Sequence, residues 1–129
     1  MKNNSGFTLI ELILVIAILG ILAVAVAPQF VNIQAQAQIA AANGQAGAIR
    51  DGANMSFAQN LAAGGAGVYP ALLDTAADGA CTSVAAGNPC FTNVLSTIPA
   101  SGWTKAGNVY THTGSGLSFT YTPLTGTFQ

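Results

Sequence analysis

Residues 6–28 read GFTLIELILVIAILGILAVAVAP, an apolar run with almost no charge. From Phe7 to Ala27, 21 residues carry one charged side chain, Glu11, and one other polar side chain, Thr8. A helix of this length rises about 31 Å, which is enough to cross a hydrocarbon core of about 30 Å. The stretch therefore predicts an apolar helix that first lies in a membrane.

Glu11 decides between three interpretations of this segment. A secretory signal peptide is supported by residues 23–25 and 25–27, which both have the small-residue pattern of a cleavage site. A carboxylate inside its apolar core would, however, cost a few kcal/mol. In a plain membrane anchor the carboxylate would carry the same cost and would gain no partner. If the segment spans a membrane first and packs against other helices later, Glu11 gains a positive partner upon assembly.

Charged residues are rare along the whole chain. Three Lys or Arg and four Asp or Glu make up 5% of the sequence and give a net charge of −1, against roughly 25% charged residues in ordinary proteins. With 51% apolar residues the chain is too hydrophobic to be disordered, so its surface is expected to be covered by lipid or by copies of itself. The basic patch typical of nucleic-acid-binding proteins is absent, and no nucleic-acid partner is predicted.

The N-terminal residues resemble the class III signal of type IV prepilins. A short polar leader, residues 1–6, ends in a glycine and is followed by Phe7, by Glu11 as the fifth mature residue and by the apolar run. The chain is identified on these residues as a member of the type IV pilin and pseudopilin superfamily. The resemblance implies the pilin fold.

The resemblance also implies a route of processing and assembly. A prepilin peptidase in the membrane would cut between Gly6 and Phe7, and the new N-terminus would be methylated. The subunit would wait in the inner membrane until an assembly platform adds it to an extracellular pilus or fimbrium. The α-ammonium of Phe7 could then pair with Glu11 of a neighbouring copy, because a carboxylate left alone among apolar helices is costly.

Helical signals continue beyond Pro28 to about residue 63. Apolar residues at spacings of three and four form one stripe: Ile39, Ala42, Ala46, Ile49, Ala53, Phe57 and Leu61. Gly64 and Gly65 predict the end of the helix. Such a helix would be about 85 Å long, too long for one compact domain. We therefore divide it into a membrane or filament-core segment, residues 7–28, and an amphipathic segment, residues 29–63.

Gly20 and Pro28 fall where pilins carry a helix-weakening glycine and proline. Proline removes one backbone donor and clashes with the preceding turn, so a kink or a break is expected at Pro28. The alternative is a gentle bend in an intact helix. In the family, the stretch between these two positions can lose helical structure within the filament, and both residues are counted here among the assembly residues.

Residues 64–129 predict a globular region of loops and strands. Residues 71–77 are a candidate for a short helical or turn-like piece. Short or alternating apolar stretches give candidate strands at 94–98, 109–112, 117–122 and 127–128. The predicted class is α+β: a long N-terminal helix packed on an antiparallel sheet of three or four strands, with Trp103 against the stripe at 49–57.

Cys81 and Cys90 are the only cysteines, and an even number in an exported domain indicates a disulfide. With His112 as the single histidine they do not complete a zinc site, and their spacing is not that of a redox pair. His112 is expected on the solvent face of a strand. Asp74 and Asp78 are too few for calcium, which takes six to eight oxygens, so no metal or other cofactor is predicted.

Within the superfamily, residues 23–30, 48–58, 69–70 and 119–128 resemble pilins of the mannose-sensitive haemagglutinin type. The expected function is that of a structural filament subunit serving adhesion or motility, and no catalytic constellation points to an enzyme. Two alternatives stay open. One is a type II secretion pseudopilin, and the other is a secreted binding domain cut by signal peptidase near Val26 or Pro28.

Overall fold

The computed structural model describes residues 6–97, 99 and 102–129. Five of the six predicted leader residues and Ile98 lie outside this range. The chain divides into two units, Met1–Gln36 and Ala37–Gln129. The helix α1, Leu9–Ala62, runs through both, and each unit is described separately below.

Helix α1 is continuous through Pro28, so the predicted break at this residue is absent and the alternative of an intact helix holds. Proline removes one N–H from a ladder of 54 residues, and the bonds on either side remain. The helix ends as Gly64 and Gly65 predict. Gly64 adopts a φ of +80°, and the Gly65 N–H donates to the carbonyl of Asn60 (2.9 Å), which satisfies a carbonyl of the last turn.

The five strands form one antiparallel sheet in sequence order, which confirms the predicted α+β class. They are β1 Gly79–Ala80, β2 Trp103–Ala106, β3 Val109–His112, β4 Ser118–Thr122 and β5 Thr127–Phe128. A short 3₁₀ turn, Val84–Ala86, lies between the first two. Three or four strands were predicted, and β1 and β2 were missed. Strand β1 was missed because it has two residues, and β2 was missed because it carries a lysine on its buried face.

The strand predicted at residues 94–98 is wrong over the described residues 94–97, which form turns and irregular backbone. The carbonyl of Phe91 accepts the N–H groups of Val94 (3.2 Å) and Leu95 (3.0 Å). These donors are used in a local turn and are not free for a sheet ladder. Residues 71–77 contain bends and no helix, so only the turn-like part of that prediction holds.

The core lies between the second half of α1 and the sheet. Ala42, Ala46, Ile49 and Ala53 of the predicted stripe are buried. Their small size leaves room for a cluster of aromatic side chains: Phe91, Trp103, Tyr110, Phe119, Tyr121 and Phe128. The indole N–H of Trp103 also donates to Gln45 Oε1 (2.6 Å). The predicted packing of the sheet against the helix stripe is therefore confirmed.

His112 is buried, not solvent-facing as predicted. Its relative exposure is 6%, and its ring lies edge-on to Trp103 with the centroids 5.2 Å apart. The register of β2 and β3 pairs these two residues directly, which directs both side chains to the inner face of the sheet. The N–H of Ser115 donates to His112 Nδ1 (3.2 Å), so the polar ring has a partner inside the hairpin.

Gly52→Ala is expected to destabilise residues 37–129 by about 1–3 kcal/mol, because an added Cβ would meet the carbonyl oxygen of Val94. Gly44→Ala and Gly47→Ala are matched controls in the same helix, because nothing lies within 4 Å of a Cβ at either position. Each control should gain up to about 1 kcal/mol from the higher helix propensity of alanine. Urea unfolding in detergent, followed by the fluorescence of the single tryptophan, measures all three. Equal stabilities would contradict the close approach at Gly52.

Candidate processing and assembly site

The helix begins with a capping box at the predicted processing site. The carboxylate of Glu11 accepts the Thr8 N–H (2.9 Å) and the Thr8 hydroxyl (2.8 Å). The Glu11 N–H points to the Thr8 hydroxyl oxygen at 3.4 Å. Thr8 is thus the N-cap and Glu11 the third helical residue, as in the Ser/Thr-x-x-Glu pattern that satisfies free N–H groups at a helix start. The Thr-x-x-Glu pattern is visible in the sequence, but Glu11 was predicted only as an assembly residue and not as part of a helix cap.

Phe7 and Glu11, which were predicted to act together in assembly, lie beside one another. With Ile10, Leu14 and Val15 they line an open groove of about 420 Å³. Phe7 itself is 90% exposed. Gly6 precedes it and is also exposed, and among the described residues no atom lies within 4 Å of an added Cβ at this position.

The apolar side chains of residues 6–28 are exposed and are not covered by other described parts of the chain. Every residue from 6 to 41 is exposed. By length and composition, α1 is the one helix in the described part of the chain that is long and apolar enough to cross a membrane. Soluble proteins rarely expose continuous apolar surface of this extent, which marks a contact with lipid or protein.

Gly20 and Pro28 lie farther along the helix and do not join Phe7 and Glu11 in one site. An added Cβ at Gly20 would meet nothing within 4 Å, so no contact inside the described chain requires a glycine there. Neither residue interrupts the helix. Their predicted role in assembly therefore has no counterpart within a single subunit.

Cys81 and Cys90 form a disulfide with an S–S distance of 2.03 Å and both residues buried. The loop that they close is organised by Asn88. Its side-chain amide donates to the carbonyls of Ala77 (3.2 Å) and Ala80 (2.9 Å) and accepts the Ala77 N–H (2.8 Å). The side chain thus covers the edge of β1, which protects a strand edge from pairing with another chain.

Replacing both cysteines with serine is expected to destabilise residues 37–129 by about 2–3 kcal/mol, the chain-entropy value for so short a loop. Removal of the predicted leader should be unaffected, because the cysteines lie in a different unit from Gly6. Unfolding of the purified variant in detergent measures the first effect and its intact mass the second. Unchanged stability would show that the loop is held by Asn88 and its neighbours alone.

A buried charged cluster, which sequence reasoning missed, lies beside the disulfide. Asp74 is fully buried, and its Oδ1 lies 2.6 Å from Lys105 Nζ. Its Oδ2 accepts the Tyr110 hydroxyl and the Phe91 N–H, both at 2.9 Å. Asp74 is therefore a structural residue inside the protein. Asp78 is exposed, and its carboxylate accepts the Gly107 N–H (2.8 Å). Over residues 6–97, 99 and 102–129, no three His, Cys, Asp or Glu side chains form a group that could hold a metal.

The surroundings of the cluster change the acid–base properties of its tyrosine. Burial, followed by the negative charge of Asp74, raises the pKa of Tyr110 far above its usual value. The raised pKa favours the protonated hydroxyl, which is the form that donates to Asp74. Burial also raises the pKa of Tyr121, whose hydroxyl donates to the carbonyl of Pro70 (2.7 Å).

Comparisons with known proteins agree with the N-terminal geometry. Residues 1–27 match the family model of the prokaryotic N-terminal methylation motif. The chain is 43% identical over 61 residues to type II secretion system core protein G of Pseudomonas aeruginosa, an alignment covering 47% of this chain and 43% of that protein. It is 40% identical over 57 residues to a fimbrial protein of the same organism, covering 44% of this chain and 37% of the relative. No solved structure gives a significant match.

The chain thus spans less than half the length of the curated relatives it matches. Both kinds of relative, a secretion core protein and fimbrial proteins, are named as structural components and not as enzymes. The methylation motif over residues 1–27 and these relatives support the type IV pilin and pseudopilin superfamily.

Proposed function

We propose that this chain is the structural subunit of an extracellular, helical, type IV pilus-like filament. The observation that carries the proposal is the exposed apolar surface of residues 6–28, nearly all of which lie within the methylation motif at residues 1–27. Such a surface needs lipid before assembly and other helices afterwards. The inner membrane supplies the lipid, and a filament built from copies of this chain then supplies the helices. No enzymatic role is proposed.

In this account residues 1–6 are a leader that a prepilin peptidase removes between Gly6 and Phe7. Residues 7–28 then hold the subunit in the inner membrane until an assembly platform adds it to the filament, where they form the core. Residues 29–63 and 64–129 supply the amphipathic helix half and the exported sheet region. The α-ammonium created at Phe7 pairs with Glu11 of a neighbouring copy, which fixes the register between subunits.

Adhesion or motility is the proposed role of the finished filament on the cell surface. Support comes from the resemblance of residues 119–128 and the other quoted segments to pilins of the mannose-sensitive haemagglutinin type. The fimbrial relatives point in the same direction. The very low charge of the exported region suits subunits that lie against copies of themselves over much of their surface.

A type II secretion pseudopilin is the second candidate, favoured by the similarity to a type II secretion core protein G. Major pseudopilins of type II secretion bind calcium in a comparable C-terminal region, and the engagement of Asp74 by Lys105 argues against such a site in this chain. The carboxylate that a calcium site in this loop would need is already bound inside the protein.

Labelling of surface filaments distinguishes the two candidates. An antibody against residues 64–129 should decorate filaments sheared from cells along their whole length. Protein that remains in the cell envelope, with unlabelled surface filaments, would contradict the pilus and favour the pseudopilin. The signal-peptide alternative instead predicts soluble protein outside the cell without any filament.

A further inference from the structure

The ion pair between Asp74 and Lys105 is enclosed to an unusual degree. Their side chains are 0% and 7% exposed. Lys105 Nζ donates to Asp74 Oδ1 (2.6 Å) and to the carbonyl of Ala76 (2.7 Å). The nitrogen is therefore held against the carboxyl group by a second, backbone contact and has little freedom to move away.

The other carboxyl oxygen of Asp74 is held by two donors. Oδ2 accepts the Tyr110 hydroxyl and the Phe91 N–H, while the Ala76 N–H donates to Oδ1 (3.1 Å). Two preorganised donors on one oxygen are the arrangement that stabilises an oxyanion during attack on a carbonyl carbon. Phe91, which supplies one of these donors, has a φ of +65°, and this is uncommon for a bulky residue.

Aromatic side chains pack beside the pair. Phe91 and Tyr110 contact one another, with Lys105 Nζ 5.9 Å from the centre of the Tyr110 ring. Transfer of one proton along the hydrogen bond from Nζ to Oδ1 would convert the ion pair into an amine and a carboxylic acid without moving either group. A neutral amine is a nucleophile. Because the fold already holds it beside the carboxylic acid, the reaction does not require two molecules to meet.

We propose that Lys105 and Asp74 join in an intramolecular isopeptide bond. After the proton moves from Nζ to Oδ1, the nitrogen lone pair attacks Asp74 Cγ, and the negative charge forms on Oδ2 between Tyr110 and the Phe91 N–H. The C–Oδ1 bond then breaks, and Oδ1 leaves as water with a second proton from Nζ. One C–N bond forms, one C–O bond is lost, and no oxidant, metal or cofactor takes part.

The bond would tie the loop before β1 to strand β2 across a sequence separation of 31. Together with the disulfide, it would give the exported region two covalent crosslinks. A reducing agent breaks only one of them. The inference stands on the packing of residues 74–110 and does not rest on the proposed filament function.

Tryptic digestion tests the proposal directly, because the chain offers trypsin only Lys2, Arg50 and Lys105. Full-length protein from the producing cells is reduced, alkylated, denatured and digested. If Lys105 is acylated, trypsin does not cut after it, so residues 51–129 remain one peptide with a mass lower by one water, about 18 Da. Wild-type protein cut after Lys105 into two peptides of unmodified mass would overturn the proposal.

Two variants separate the bond from the fold. Lys105→Arg keeps the positive charge but not the nucleophilic amine, so its chain should be cut at this position and show the full mass. Tyr110→Phe keeps the ring but removes one donor from Oδ2, and crosslinking should slow about 100-fold. Equal crosslinking rates in Tyr110→Phe and wild type would overturn the oxyanion site. The alkylation pattern of Cys81 and Cys90 before reduction reports whether each variant has folded.

Discussion

Glu11→Val is expected to insert in the membrane and to lose residues 1–6 normally, but to reduce the yield of surface filaments at least about tenfold. The buried α-ammonium of Phe7 in a neighbouring copy would have no partner, and an uncompensated buried charge costs about 3–5 kcal/mol. The measurement compares sheared filaments with total processed protein. Normal filaments from this variant would remove the pairing role of Glu11.

The capping box requires a second variant, because Glu11→Val also removes a helix cap. Glu11→Gln keeps an oxygen that can accept the Thr8 N–H but carries no charge. If Glu11 acts through its charge, both variants should fail to assemble. If the glutamine variant assembles like wild type, the carboxylate serves as a cap and not as an assembly partner.

Asp74→Ala is expected to destabilise residues 37–129 by about 3–5 kcal/mol. It leaves the buried ammonium of Lys105 without its counter-charge and removes the acceptor of the Tyr110 hydroxyl and the Phe91 N–H. Since a typical domain is stable by about 5–15 kcal/mol, the variant should be close to unfolding. Urea unfolding monitored at Trp103, which is buried in the core, provides the measurement.

Asp78→Ala is the matched control for Asp74. Its carboxylate is exposed and accepts one backbone N–H, that of Gly107, so its loss should cost no more than about 1 kcal/mol. A similar loss of stability in both variants would contradict the view that the contact between Asp74 and Lys105 is the main link between the loop and the sheet.

Much of the helix and of the candidate site could be predicted because the signals are local. The apolar run, the stripe from Ala42 to Ala53 and the glycines at 64 and 65 each specify structure within a few residues. The strands at 109–112 and 118–122 alternate clearly, and their inward residues Tyr110, Phe119 and Tyr121 are buried. The predictions for Gly6, Phe7 and Glu11 rest on a motif of adjacent residues.

What was missed depends on contacts between distant residues. Asp74 and Lys105 lie in segments without periodicity, and only the folded sheet brings them together. His112 lies between threonines in a strand, a pattern typical of a solvent-facing residue, yet its pairing with Trp103 directs it to the inner face of the sheet. The turn around Phe91 excluded the strand predicted at 94–98, because its donors bond locally.

The N-terminal residue and the intact mass of protein sheared from cells distinguish a filament subunit from a secreted domain. We expect a chain that begins at N-methylated Phe7 and retains the apolar segment, because that segment would form the filament core. A chain that begins near Val26 or Pro28 would mean that the apolar segment is discarded by signal peptidase. The filament proposal would then be wrong.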